Sequence, residues 1–135
     1  MTPEEARDRF AGARVARLAT AGTDGRPHIV PIVFALAGDR IYSAVDQKRK
    51  RTTALRRLKN IAENPSVSLL VDHYEDDWDK LWWVRADGRA RVLDPDRDEE
   101  SREAIELLHR RYPQQRVAGA VLAVDVERWI GWSAA

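Results

Sequence analysis

Residues 15–45 read VARLATAGTDGRPHIVPIVFALAGDRIYSAV, from Val15 to Val45, and the order of apolar runs and turn residues in this stretch decides the fold. Val15 to Thr20 and Pro27 to Ala35 are apolar runs rich in Val and Ile, a composition suited to extended, partly buried chain. Gly22-Thr23-Asp24-Gly25 stands between them, and Asp-Gly is a strong hairpin signal because the tight turn that joins two strands needs positive φ. A second turn, Gly38-Asp39, leads into Arg40 to Val45. Together the three runs predict an antiparallel meander.

Upstream, Thr2-Pro3-Glu4-Glu5 is a capping box with proline at the first helical position, so a short helix is expected to reach about Ala11. Downstream, Thr52 or Thr53 caps a helix whose Leu55, Leu58, Ile61 and Ala62 recur at helical spacing, and Asn64-Pro65 ends it. Val67 to Val71 has apolar residues on both faces, as a central strand does. Leu81 to Ala86 and Arg89 to Leu93 flank Asp87-Gly88 and predict another hairpin. Asp94-Pro95 opens a helix with Ala104, Ile105, Leu108 and Tyr112 on one face, closed by Pro113. Ala120 to Val126 is the last strand, followed by Trp129 and Trp132. Some seven short strands with interposed helices predict a mainly β (α+β) fold, an antiparallel barrel with peripheral helices rather than a βαβ sheet. No repeat, linker or low-complexity tract divides the chain, and residues 1–135 read as one domain.

The 135 residues are 44% hydrophobic and 33% charged, the balance of a globular domain. There is no Cys, which excludes disulfide frameworks, Cys-ligated zinc, iron-sulfur clusters and thiol nucleophiles, and suits a reducing compartment. Met1 to Phe10 is charged where a signal peptide needs an apolar run, and no stretch approaches the roughly 18 apolar residues of a membrane span. The expectation is a cytoplasmic protein with no membrane partner.

The formal net charge is only +1, so nothing global recruits nucleic acid, yet the charge is unevenly placed. Gln47 to Asn60 holds Lys48, Arg49, Lys50, Arg51, Arg56, Arg57 and Lys59 with no acid, while Asp72 to Asp79 holds acids and no cation. Four of those cations precede the helix at Thr52, the wrong end for them. Each costs roughly 0.3 to 1 kcal/mol there, and an anion seated among them reverses the sign. A phosphate or carboxylate site is the favoured reading. A solvated basic loop competes with it, and a nucleic-acid patch is disfavoured because no aromatics interleave with the cations.

The remaining candidates are weaker. Trp82 and Trp83 are adjacent in a strand and face opposite sides, so core or dimer packing is expected for most of the tryptophans, with one free to cover a partner subunit or a ring-shaped ligand. His28, His73 and His109 signal neither a metal triad nor a Ser-His-Asp arrangement. Asp72, Asp76, Asp77 and Asp79 lack the EF-hand spacing, and Ser43, Ser66 and Ser68 lack a nucleophile elbow. No catalytic side chain and no metal site is expected, and binding a chemically competent cofactor is the better route to activity.

Val15-Ala-Arg-Leu-Ala-Thr20, Asp24-Gly-Arg-Pro-His-Ile-Val-Pro-Ile-Val-Phe34, Arg40-Ile-Tyr-Ser-Ala-Val-Asp46, the basic helix start and Asn60-Ile-Ala-Glu-Asn-Pro-Ser-Val-Ser-Leu-Leu-Val71 follow one another in an order that resembles the pyridoxamine 5'-phosphate oxidase-like split-barrel flavoproteins. The chain is most similar to the actinobacterial branch that uses the deazaflavin coenzyme F420. Leu81 to Leu93 resembles the next hairpin of that family. The resemblance implies a homodimer of split β-barrels with the cofactor at the subunit interface, serving a small-molecule substrate. By position, Val30, Pro31, Ile32 and Val33 would lie along the cofactor ring, and Ser43, Ala44 and Val45 near its tail. Lys48 and Lys50 would hold the phosphate, with Arg57 and Asn60 facing the same anion. Arg56 and Arg57 compete with the two lysines for that role, because the connection from Asp46 to Asn60 is longer than in some relatives. Trp78 matches an aromatic residue near the cofactor in some members. The implied activity is F420-dependent hydride transfer to or from a small unsaturated organic substrate. The alternatives are a flavin mononucleotide (FMN) dependent oxidase or reductase, a heme-binding split barrel, and a non-catalytic F420 carrier.

Overall fold

Thr2 caps the first helix as the sequence predicts. Its Oγ1 accepts the Glu5 amide at 3.1 Å, and α1 runs Pro3–Gly12 in the computed structural model, which describes residues 1–46, 52–115 and 117–135. The chain continues through β1 (Ala16–Ala21), β2 (Pro27–Ile32), β3 (Ala35–Ala37), β4 (Arg40–Asp46), α2 (Thr52–Glu63), β5 (Ser66–His73), a short 3-10 turn (Trp78–Lys80), β6 (Trp82–Leu93), α3 (Glu99–Arg111) and β7 (Val117–Ser133). The strands form one sheet in the order β2-β1-β5-β6-β7-β4-β3, with every pairing antiparallel.

The two edge strands of that sheet, β2 and β3, are consecutive in the chain and joined only by Val33 and Phe34. Two residues span little distance, so the sheet has to curl until its edges meet at this corner. The result is a split barrel.

Four expectations need correction. The predicted meander is two separate hairpins: Asp24-Gly25 joins β1 to β2 and Gly38-Asp39 joins β3 to β4, with Gly25 (φ 74) and Gly38 (φ 62) supplying the turn conformations, but β2 and β4 do not pair. Asp87-Gly88 is no hairpin either. β6 runs straight through it, with a register shift against β7 between Asp87 and Gly88. A Cβ at Gly88 would lie 2.3 Å from the Asp125 carbonyl oxygen, so the glycine answers a close backbone approach rather than a turn. α3 begins at Glu99 rather than at Asp94-Pro95, because Asp94 to Asp98 first close a turn in which Asp98 Oδ2 accepts the Asp94 amide at 2.7 Å. Finally, β7 extends to Ser133 and includes Trp129 and Trp132.

Alternation along the strands divides the apolar residues between two clusters. Leu18, Val30, Ile32, Ile41, Leu69, Val84, Leu122 and Val124 point into the barrel. α1 closes the barrel with Ala6 and Phe10, the latter against Phe34 (centroids 4.8 Å) and Trp129 (5.3 Å). α2 packs on the same cluster with Leu58 and Ile61, whereas Ala62 is exposed. The other face of β3, β4 and β7 presents Ala35, Tyr42, Ala44, Val121 and Ala123 to Ala104 and Leu108 of α3. Neighbouring residues of β7 therefore serve different cores, which is why that strand reads as a continuous apolar run.

Candidate anion site on the second helix

The side of α2 next to its apolar stripe carries Arg57, Asn60 and Glu63, spaced one turn apart and so on one face. Asn60 is buried, and its Nδ2 donates to Oγ1 of the buried Thr20 of β1 at 3.1 Å. Glu63 Oε1 accepts both the Thr23 amide (2.9 Å) and the Thr23 hydroxyl (3.0 Å), which holds its carboxyl below the usual range. These bonds fasten the last turn of α2 to the end of β1.

Arg57 is different. It is half-buried, its Nε is buried and has no hydrogen-bond partner among the described residues, and burial lowers its pKa from the ordinary arginine value. A guanidinium stays charged at any pH at which the protein is folded, so burying its Nε–H carries a desolvation cost that no acceptor among the described residues offsets. An anion would offset it. A second such atom lies nearby in the topology: His28 Nδ1 is buried without a partner among the described residues, and His28 is the cross-strand neighbour of Thr20.

The other residues assigned by resemblance fall elsewhere. Val30 and Ile32 point into the barrel core, Pro31 faces outward, and Val33 packs against the outer cluster. Ser43 is buried and donates from Oγ to the Val33 carbonyl at 2.9 Å, Ala44 is buried in the outer cluster, and Val45 continues β4. Val33, Ser43 and Ala44 thus converge at the β2–β3 corner. His28 and Val33 are separated by roughly 17 Å of extended chain, so this group stands apart from the Thr20–Asn60 contact. Trp78 stands alone, 75% exposed in the 3-10 turn. Lys48 and Lys50 lie outside the described residues.

Sequence reading missed Thr20 and His28 as members of this neighbourhood. Their pairing follows from the Asp24-Gly25 hairpin register, which was the available signal. It also missed a closed charge network on the outer face. Arg91 Nε donates to Asp125 (2.7 Å) and Nη1 to Glu100 (2.9 Å), Arg40 reaches the same two carboxylates (2.8 and 2.9 Å), and the Tyr42 hydroxyl donates to Glu100 at 2.8 Å. Hydrogen bonds from Arg91, more than any other group, hold both carboxyls below their usual range, and burial pushes the Tyr42 phenol up. Both guanidiniums and both carboxylates are paired, so the network fastens α3 to β4, β6 and β7.

Among the described residues, no group of three or more His, Asp or Glu side chains is placed to hold a metal ion, and no helix is long and apolar enough to cross a membrane. The sequence profile of the family described as pyridoxamine 5'-phosphate oxidase matches residues 2–133. The chain belongs to the pyridoxamine 5'-phosphate oxidase family. No curated protein matches it. Solved structures share the fold. A conserved hypothetical protein of Mycobacterium tuberculosis is 22% identical over 99% of this chain and 86% of its own, with a TM-score of 0.75. A FAD-binding protein of Mesorhizobium loti is 21% identical over 97% of this chain and 94% of its own (TM-score 0.74). HutZ, the heme storage protein of Vibrio cholerae, is 18% identical over 98% and 95% (TM-score 0.70).

Proposed function

We propose that this member of the pyridoxamine 5'-phosphate oxidase family binds a flavin-type cofactor, coenzyme F420 before FMN, and passes hydride between it and a small unsaturated organic substrate. The observation that carries the reading is Arg57, a half-buried cation whose Nε has no partner among the described residues, on the helix that follows the chain's main basic run. A cofactor phosphate is the anion that such a group fits. The acid-free segment from Gln47 to Asn60 favours the longer, more anionic tail of F420 over that of FMN. The FAD-binding protein of Mesorhizobium loti, similar in fold, supports a flavin-type group.

In this reading Arg57 holds the phosphate, Asn60 keeps the helix seated on Thr20, and Lys48 and Lys50 add charge to the tail. When bound, the cofactor ring supplies the hydride chemistry, so the chain need contribute no acid or base. The chain's share is binding and orientation. β2 is an edge strand, and with Val30 and Ile32 turned inward it offers Pro31 and its open backbone edge to a planar ring.

The assembly is read as a homodimer with the cofactor at its interface. The corner group around Ser43 and the α2 group around Arg57 lie apart in one chain, as expected if each cofactor takes one group from each protomer. The partner would cover the outer face of β2, β1, β5 and β6, where α3 does not reach. Ile29 (65% exposed), Pro31, Leu70, Trp83 and Trp132 (43% exposed) crowd that face.

Titrating the apoprotein with F420 and with FMN, followed by tryptophan quenching, tests the reading. Arg57→Ala should weaken cofactor binding by roughly tenfold or more, the size of a charge-assisted hydrogen bond. Tight FMN binding with no F420 binding would overturn the cofactor ranking, and a cofactor-bound protein without turnover on any acceptor would make it a carrier. A monomer at micromolar concentration in analytical ultracentrifugation would overturn the shared interface.

A further inference from the structure

We infer that Gly22 and Glu63 form a positioning lock that sets the anion-binding face of α2, an inference that rests on the reading of Arg57 as an anion ligand. Glu63 ends α2, where a carboxylate opposes the helix dipole and is locally unfavourable. Its Oε1 takes both donors of Thr23, the residue that follows Gly22.

Gly22 is buried between these elements. A Cβ built on it would stand 2.5 Å from Glu63 Oε1 and 2.9 Å from Asn60 Oδ1. Its φ is not in the left-handed region, so the position calls for glycine through space alone. Any larger residue displaces the Glu63 carboxylate and the Asn60 amide together, the two side chains that fasten the last turn of α2 to β1. Arg57 lies one turn before Asn60 on the same face. The direction of its guanidinium is therefore inherited from the seat of that last turn, and Gly22 and Glu63 are positioning residues that need not touch the ligand.

The probe is inorganic phosphate, and the readout is the Arg57 Nε–H resonance in a nitrogen-15 titration of the full chain, with the thermal midpoint measured alongside. Glu63→Ala and Gly22→Ala are each expected to weaken phosphate binding at Arg57 roughly tenfold, the worth of about one hydrogen bond to a charged group, with the fold intact. Glu63→Gln keeps an oxygen that can accept both Thr23 donors and should recover most of the affinity. A merely structural role would lower the midpoint in Glu63→Ala and leave the affinity alone. If wild type shows the phosphate-dependent shift of Arg57 and Glu63→Ala, Glu63→Gln and Gly22→Ala all bind like wild type, the lock is refuted and the anion site stands. If wild type shows no phosphate-dependent shift of Arg57, the anion site itself fails and the lock with it. Should Gly22→Ala not fold, the contrast between Glu63→Ala and Glu63→Gln decides alone.

Discussion

Replacing Gly88 by alanine sets two effects of opposite sign against each other. On propensity alone the change is favourable: a glycine inside a strand loses more backbone entropy on folding than alanine, by roughly 0.5 to 1 kcal/mol. Packing opposes it. The new Cβ would lie 2.3 Å from the Asp125 carbonyl oxygen, 3.0 Å from the Asp125 carbonyl carbon and 3.0 Å from the Val126 Cα. All three are backbone atoms of β7, the strand that pairs with β6 on one side and β4 on the other, so no side chain can rotate away. Overpacking of this kind costs about 1 to 3 kcal/mol, and a rigid obstacle belongs at the upper end. The net expectation is a loss of about 1 to 2.5 kcal/mol, or roughly 3 to 12 °C in Tm for a chain of this size. Gly12→Ala is the control: nothing lies within 4 Å of its Cβ and its φ is not positive, so stability should hold or rise slightly. Urea and thermal unfolding of both variants give the answer. A Gly88→Ala protein as stable as wild type would refute the close approach of β6 and β7, and with it the account of why Asp87-Gly88 is not a turn.

Two further outcomes are expected. Glu100 and Asp125 titrate below their usual range in the folded chain, chiefly through Arg91, so their contribution is complete above about pH 4, the ordinary carboxylate range, and is lost as pH falls through the depressed folded values. Urea midpoints between pH 2 and 6 should therefore fall more steeply for wild type than for Glu100→Gln, and parallel curves would count against the network. Asn60→Ala strands the buried Thr20 hydroxyl and should cost about 1 to 3 kcal/mol, whereas adding Thr20→Val to it should return part of that loss, as a double-mutant cycle in urea would read.

The elements legible in the sequence are those specified by neighbours in the chain. Thr2-Pro3-Glu4-Glu5 makes α1 by local capping, and Asp24-Gly25 and Gly38-Asp39 make their turns through φ that glycine alone adopts cheaply. Asp87-Gly88 carries the same letters with a different cause, because its glycine answers to Asp125 on another strand. The false meander has the same origin. Nothing local tells β2 and β4 apart as partners. That β2 pairs with β1 while β4 pairs with β7 depends on where β5, β6 and β7 insert, all of which come later in the chain. Trp129 and Trp132 come after Asp125, Glu127 and Arg128, which interrupt the apolar run that marks the first part of β7 and hide its continuation to Ser133.

Of the candidate site, the charge excess was legible and its destination was not. Composition marks the cations between Gln47 and Asn60 as costly, but which of them is buried depends on how α2 lies on β1. Thr20 and His28 carry no charge to count. The contrast among the arginines shows why Arg57 is the telling one. Arg40 and Arg91 share Asp125 and Glu100, Arg85 clasps Asp87 with bonds of 2.8 and 3.0 Å, and Arg111 donates to the carbonyls of Phe34 and Ala13. This fold pairs its half-buried guanidiniums when an acceptor is within reach. Around Arg57 Nε it supplies none among the described residues, and Glu63, the acid at the end of the same helix, is committed to Thr23. A buried donor left open among the described residues, on a helix whose own last acid is engaged by Thr23, is suited to an added acceptor. A phosphate or a carboxylate meets that need, because the oxygens of either can satisfy the open Nε–H and the guanidinium charge at once.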